Sequence, residues 1–124
     1  MAKLPKGSNV FISYSRADAS KLQDILKLLI TAGFIKEEDH ILREEDLPVR
    51  HRALRAEVKR QIQSASKVVV VWNADSANSQ WVNYELGLAD ALGKKIIAVI
   101  PKELQVPLPA ILQDTQVVKV TSDG

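Results

Sequence analysis

Glu85 is the residue whose position is hardest to reconcile with ordinary packing. It lies in the stretch SANSQWVNYELGLADALGKK, residues 76–95, which has the composition of an amphipathic helix. Advancing about 100° per residue from Trp81 places Asn83 and Asp90 together at roughly 180–200° and Glu85 at roughly 40°. Glu85 thus falls between Leu92 and Ala89, in an arc that also holds Trp81, Leu88 and Leu86. A carboxylate early in a helix complements the helix dipole, worth about 0.3–1 kcal/mol, but a solvent-facing position would do this equally well. Two other uses explain the apolar setting: a buried salt bridge, with Arg16 as the cation, or a reactive carboxylate in a partly dry cleft. Burial raises a carboxylate's pKa unless a cation or hydrogen bonds compensate, and such perturbed groups mark functional sites.

The elements that must position this residue follow from alternating hydrophobic periods. NVFISYS (9–15) reads as a strand with a polar exit, and DASKLQDILKLLITAGF (18–34) as a helix with Asp18 as N-cap and Gly33 as C′ residue. A short strand at 40–42 and a charged loop containing Pro48 come next. Leu54, Val58 and Ile62 then mark a helix over roughly 50–65. KVVVVW is a buried strand, followed by the helix bearing Glu85, the strand KKIIAVI, a short turn or helix at LPAILQD and the strand QVVKV. Continuously apolar strands alternating with helices indicate a parallel sheet covered on both faces. The expected fold is an open, flavodoxin-like five-stranded parallel sheet in the order 2-1-3-4-5. Residues 1–8 are assigned as a tail, 9–120 as the domain, and 121–124 as a tail or the start of a linker to other domains.

Ligands of such sheets bind beyond the carboxyl ends of the strands. The segments gathered there are SYSRAD (13–18), LREEDLP (42–48), WNADSANSQW (72–81) and PKELQVP (101–107). Helical side chains lean toward the helix N-terminus, which directs the Glu85 carboxylate back to this edge.

Composition narrows the function classes. With 46% hydrophobic and 26% charged residues, the 124-residue chain can build one globular core. Its longest apolar runs are strand-length, far short of the roughly 20 residues of a membrane span, and MAKLPKGSN has no apolar signal region. The absence of cysteine excludes disulfides, thiolate metal sites and cysteine nucleophiles, and makes a cytoplasmic location the expectation. A net charge of +2 gives little support to nucleic-acid binding. His40 and His51 lack ligand-spaced partners and are expected at the surface, so no metal site is assigned. Arg50, His51, Arg52, Arg55, Lys59 and Arg60 make the second helix basic, a face suited to pairing with the acidic residues 44–46 of a neighbouring subunit.

VFISYSRAD and SQWVNYELGLADALGKKIIAVI, in this order and at this spacing, resemble the first-strand and third-helix motifs of TIR (Toll/interleukin-1 receptor) domains of the bacterial type. The likeness runs from Val10 to about Val120. It implies cleavage of NAD+ between nicotinamide and ribose, to ADP-ribose or a cyclic isomer, with NAD+ as substrate and no cofactor. Carried over, Glu85 is the catalytic residue, Trp81 shapes the pocket or stacks on a ring, and Ser13, Tyr14, Ser15 and Arg16 line its floor and phosphate side. Tyr84 is assigned to the rim, and Asp46 to substrate contact from LREEDLPVR, the counterpart of the loop that covers the pocket and mediates TIR–TIR assembly. That loop departs from the family pattern, lacking the glycine after the proline and carrying Glu44, Glu45 and Asp46. The resemblance also implies homotypic self-association, up to filaments, and a role in bacterial antiviral defence. A non-enzymatic TIR scaffold is the alternative, although adaptor members often lack the glutamate. A phosphoacceptor receiver domain is rejected because SYSR stands where its acidic pair would be.

Overall fold

A computed structural model of the chain describes residues 7–43 and 51–120. Five parallel strands form one sheet in the order β2-β1-β3-β4-β5: β1 Asn9–Ser13, β2 His40–Leu42, β3 Lys67–Val71, β4 Lys95–Pro101 and β5 Gln116–Val120. The helices are α1 Leu22–Thr31, α2 His51–Ser64, α3 Ala74–Ala77, α4 Gln80–Ala91 and α5 Ala110–Gln113. The expected fold and strand order are those observed.

The central strands are apolar on both sides because both sides are covered. Phe11, Val68, Val70, Ile96 and Ala98 pack with Val58 and Ile62 of α2 and Val82, Leu86 and Ala89 of α4. Val10, Ile12, Val69, Val71, Ile97 and Val99 pack on the opposite face with Leu22, Ile25 and Leu29 of α1. Successive residues of a strand point to opposite faces, so each strand feeds both clusters in alternation.

Two helix stops use the same device. Gly33 and Gly93 hold positive φ of 84° and 67°. After α1, the Phe34 N–H reaches the Leu29 carbonyl and the Gly33 N–H that of Ile30; after α4, Lys94 and Gly93 repeat this with Ala89 and Asp90. Both are Schellman closures that satisfy carbonyls otherwise left over at a helix end.

Two helical expectations need correction. The segment from 18 to 34 begins as a 3-10 turn, Arg16–Lys21, and becomes α-helical only at Leu22. Asp18 does not cap it; Ser15 precedes the turn, and the Asp18 side chain is buried against other groups. The stretch from 76 is two helices, because Asn73 caps α3 and Ser79 separately caps α4, its side chain accepting from the Val82 N–H at 3.2 Å. Side-chain oxygens at these two positions compete for the backbone donors and start a new helix at each. The expected loop 44–50, including Pro48, lies outside the described residues.

At the amino edge of the sheet, Asp39 fastens β1 to the connection before β2. Its carboxylate accepts from the Ser8 N–H at 2.8 Å and the Lys36 N–H at 2.7 Å. Burial pushes this carboxyl up, but the backbone donors of Lys36 and Ser8, then the charges of Lys67 and Lys36, outweigh it and hold the group below its ordinary value of 3.8. A depressed folded value stabilises the fold above the unfolded value and loses that contribution as pH falls through the folded one. Asp39→Asn should therefore be less stable than wild type in urea at neutral pH, with the difference shrinking as pH drops below the ordinary carboxylate range. A gap that stays constant with pH would show that the charge contributes nothing.

Candidate active site

The last residue of β1 and the second turn of α4 meet at the carboxyl edge of the sheet. Ser13 continues the alternation from Phe11 and so points toward α4, where its Oγ donates to Glu85 Oε1 at 2.5 Å. Both groups are buried, Ser13 at 1% exposure and Glu85 at 2%. A hydroxyl hydrogen bond to an ionised carboxylate is short and about twice as strong as a neutral one. It offsets part of the several kcal/mol that removing a carboxylate from water costs. The neighbours on α4 are Val82, Leu86 and Ala89, all buried, while Trp81 and Leu88 are half-buried. The apolar face of the helix is thus centred closer to Val82 and Ala89 than the wheel from Trp81 suggests, and Glu85 lies inside it.

Trp81 and Tyr84 precede Glu85 on the same helix. Their rings meet edge to face, with centroids 5.4 Å apart and planes at 77°, an arrangement favoured by the ring quadrupoles. Both pack partly buried against the α2–α4 cluster. Trp72 follows β3 on this side, 4% exposed, with its indole N–H donating to the Pro107 carbonyl at 3.3 Å. It is core, and it ties the loop after β4 to the same edge.

The remaining expected residues separate from this group. Tyr14 follows the strand alternation to the other face and packs on the α1 cluster, so strand geometry removes it from the Glu85 side. Ser15 is buried and donates from Oγ to Asp18 Oδ2 at 3.1 Å, a bond within its own loop. Arg16 is exposed at the start of the 3-10 turn, in contrast to the 2% exposure of Glu85, which disfavours the buried Arg16 salt bridge. Asp46 lies outside the described residues.

A cleft of about 850 Å³ opens on the opposite face, between α1 and the ends of β3, β4 and β5, lined among others by Lys21, Ile25, Leu28, Val71 and Lys119. Its size would suit a ligand. Asp18 and Asn73, at the carboxyl edge, also line it, whereas Glu85 does not.

Sequence reasoning missed Asp18 and Asn73. Asp18 is 1% exposed and accepts from Asn73 Nδ2 at 2.9 Å, with Lys21 Nζ at 3.8 Å. Both residues stand in segments named above as edge loops, but nothing in their spacing reveals that they touch. Among the described residues no group of three or more histidine, aspartate or glutamate side chains could hold a metal, and no helix is long and apolar enough to cross a membrane.

Residues 10–124 match the TIR domain family, and the chain belongs to it. No curated protein matches the sequence significantly. Among solved structures, the chain is similar to the TIR domain of the Toll-related receptor TRR-2 from Hydra magnipapillata: 18% identity, TM-score 0.62, covering 89% of this chain and 82% of that one. It is similar also to the CMP N-glycosidase BcmB of Clostridium botulinum, at 15% identity and TM-score 0.59 over 94% and 90% of the two chains. A third likeness is to the TIR domains of the activated Roq1 resistosome, at 20% identity and TM-score 0.55 over 77% and 58%. These likenesses extend the agreement in fold.

If the Ser13 hydroxyl compensates the buried charge, Ser13→Ala should cost about 1–3 kcal/mol in urea denaturation. The same substitution in a Glu85→Gln background should cost distinctly less, because an amide is cheaper to leave under-bonded than a carboxylate. Equal costs in the two backgrounds would show that the bond does not serve the charge.

Proposed function

We propose that this TIR domain consumes NAD+, breaking the bond between nicotinamide and ribose with Glu85 as the catalytic carboxylate. The observation that carries this reading is a buried glutamate, hydrogen-bonded to Ser13, at the carboxyl edge of the parallel sheet. Glycoside hydrolysis ordinarily needs two carboxyl groups, one to protonate the leaving oxygen. NAD+ needs no such acid: the bonding pair moves onto the pyridinium nitrogen and nicotinamide departs neutral. What remains is to stabilise the positive charge developing on the ribose, which one ionised carboxylate in a water-poor setting can do electrostatically or as a transient nucleophile. Attack by water, with loss of its proton, gives ADP-ribose; attack by a nitrogen of the adenine gives a cyclic isomer. In this reading Trp81 and Tyr84, whose rings meet edge to face beside Glu85 on α4, border a bound ring system.

At 2% exposure the carboxylate is shielded, so this reading requires a change of structure to admit the sugar. The reading includes a site gated by homotypic self-association, with NAD+ loss as the output in antiviral defence. The same burial favours a second reading, in which the Ser13–Glu85 pair is structural and the domain acts as a signalling scaffold. Incubating the purified domain with NAD+ at several protein concentrations and resolving products by chromatography separates the two. NAD+ loss rising more steeply than protein concentration is the expected result, and no loss even when the domain is crowded or clustered overturns the enzymatic reading. Glu85→Gln should abolish nicotinamide release with the circular dichroism of the fold unchanged. Wild-type turnover in that variant would remove Glu85 from the mechanism.

A further inference from the structure

Ser13 and Glu85 are 72 positions apart, and their bond holds only if α4 keeps its height relative to the end of β1. A second connection joins the same two segments by another route. From β1, Ser15 Oγ donates to Asp18 Oδ2 at 3.1 Å. Asn73, just beyond β3, donates from Nδ2 to the same oxygen at 2.9 Å. The other end of the Asn73 amide caps α3, its Oδ1 accepting from the Asp75 and Ser76 N–H groups at 3.0 Å each, and Ser76 Oγ bonds back to the Val71 carbonyl. On α4, Asn83 Nδ2 reaches the carbonyls of Ala77 at 3.2 Å and Ser79 at 2.8 Å. The path from Ser13 through Ser15, Asp18, Asn73, α3 and Asn83 to Glu85 is closed into a ring by the Ser13–Glu85 bond.

We propose that Asp18 and Asn73 are positioning residues, clamping the exits of β1 and β3 so that Ser13 meets Glu85 in one geometry. The proposal's kinetic consequence rests on the reading of Glu85 as the reactive carboxylate; its structural consequence does not. Asp18 has the character such a clamp needs. It is a carboxylate at 1% exposure whose bonds to Ser15 and Asn73 bridge 55 residues of sequence between the two loops. Loss of one donor leaves a buried charge under-compensated, which drives the loops apart.

Asn73→Asp tests the clamp without removing the cap, since aspartate caps a helix as well as asparagine does. It deletes only the amide donor and sets a carboxylate against Asp18. The kcat for nicotinamide release should fall about tenfold to a hundredfold, the scale of a small misplacement of a reacting group, with KM little changed. The exchanged pair, Asp18→Asn with Asn73→Asp, restores donor and acceptor in reverse and should recover most of the lost kcat. Amide hydrogen exchange should show faster exchange across residues 15–21 and the first turn of α4 in Asn73→Asp, reverting in the exchanged pair. Wild-type kcat in Asn73→Asp, no recovery in the exchanged pair, or faster exchange confined to 73–77 would each overturn the proposal. If wild type releases no nicotinamide at any concentration, the enzymatic reading fails and exchange alone decides: spread to 15–21 sustains the clamp, and confinement overturns it.

Discussion

A carboxylate that has left water must be answered by donors, and in this fold one donor to Glu85 is the last residue of the first strand. The Ser13–Glu85 bond joins β1 to α4 across the most sequence-distant part of the site. Ser13 can serve because it is the inward-facing polar residue at the end of an otherwise apolar strand. One position either way would turn the side chain to the other face, as Tyr14 shows. The register of β1 against β3, with Ser13 opposite Val70, thereby brings the Ser13 hydroxyl to the buried carboxylate.

The parallel sheet contributes more than a platform. All five strands end at one edge, where the 3-10 turn after β1, the capped α3 after β3 and the loop held by Trp72 and Pro107 converge. Yet the sheet also divides that edge. The open cleft and the α1 cluster belong to one face, and the buried carboxylate with its aromatic neighbours belongs to the other.

Much of this was legible in the chain. Long β-branched runs separated by helical spacing determined a covered parallel sheet, and the pattern of β1 to β5 followed from crossover handedness. Gly33 was readable as a helix stop because a positive φ favours glycine. The misplaced charge at Glu85 was readable because a helix has one apolar face and few reasons to put a carboxylate in it. Local preference favours Asp18 as a cap, but its buried contact with Asn73, 55 residues away, overrides that role.

By itself, the sequence determined the element order, the sheet and the anomaly of Glu85, since these depend on residue type and on periods of two and 3.6. Tertiary structure alone decided the partners. It gave Ser13 to Glu85, sent Tyr14 to the opposite face, exposed Arg16 and joined Asp18 to Asn73. A hydrogen bond depends on distances of a few tenths of an ångström between residues far apart in the chain, and only the packed strands and helices set those distances.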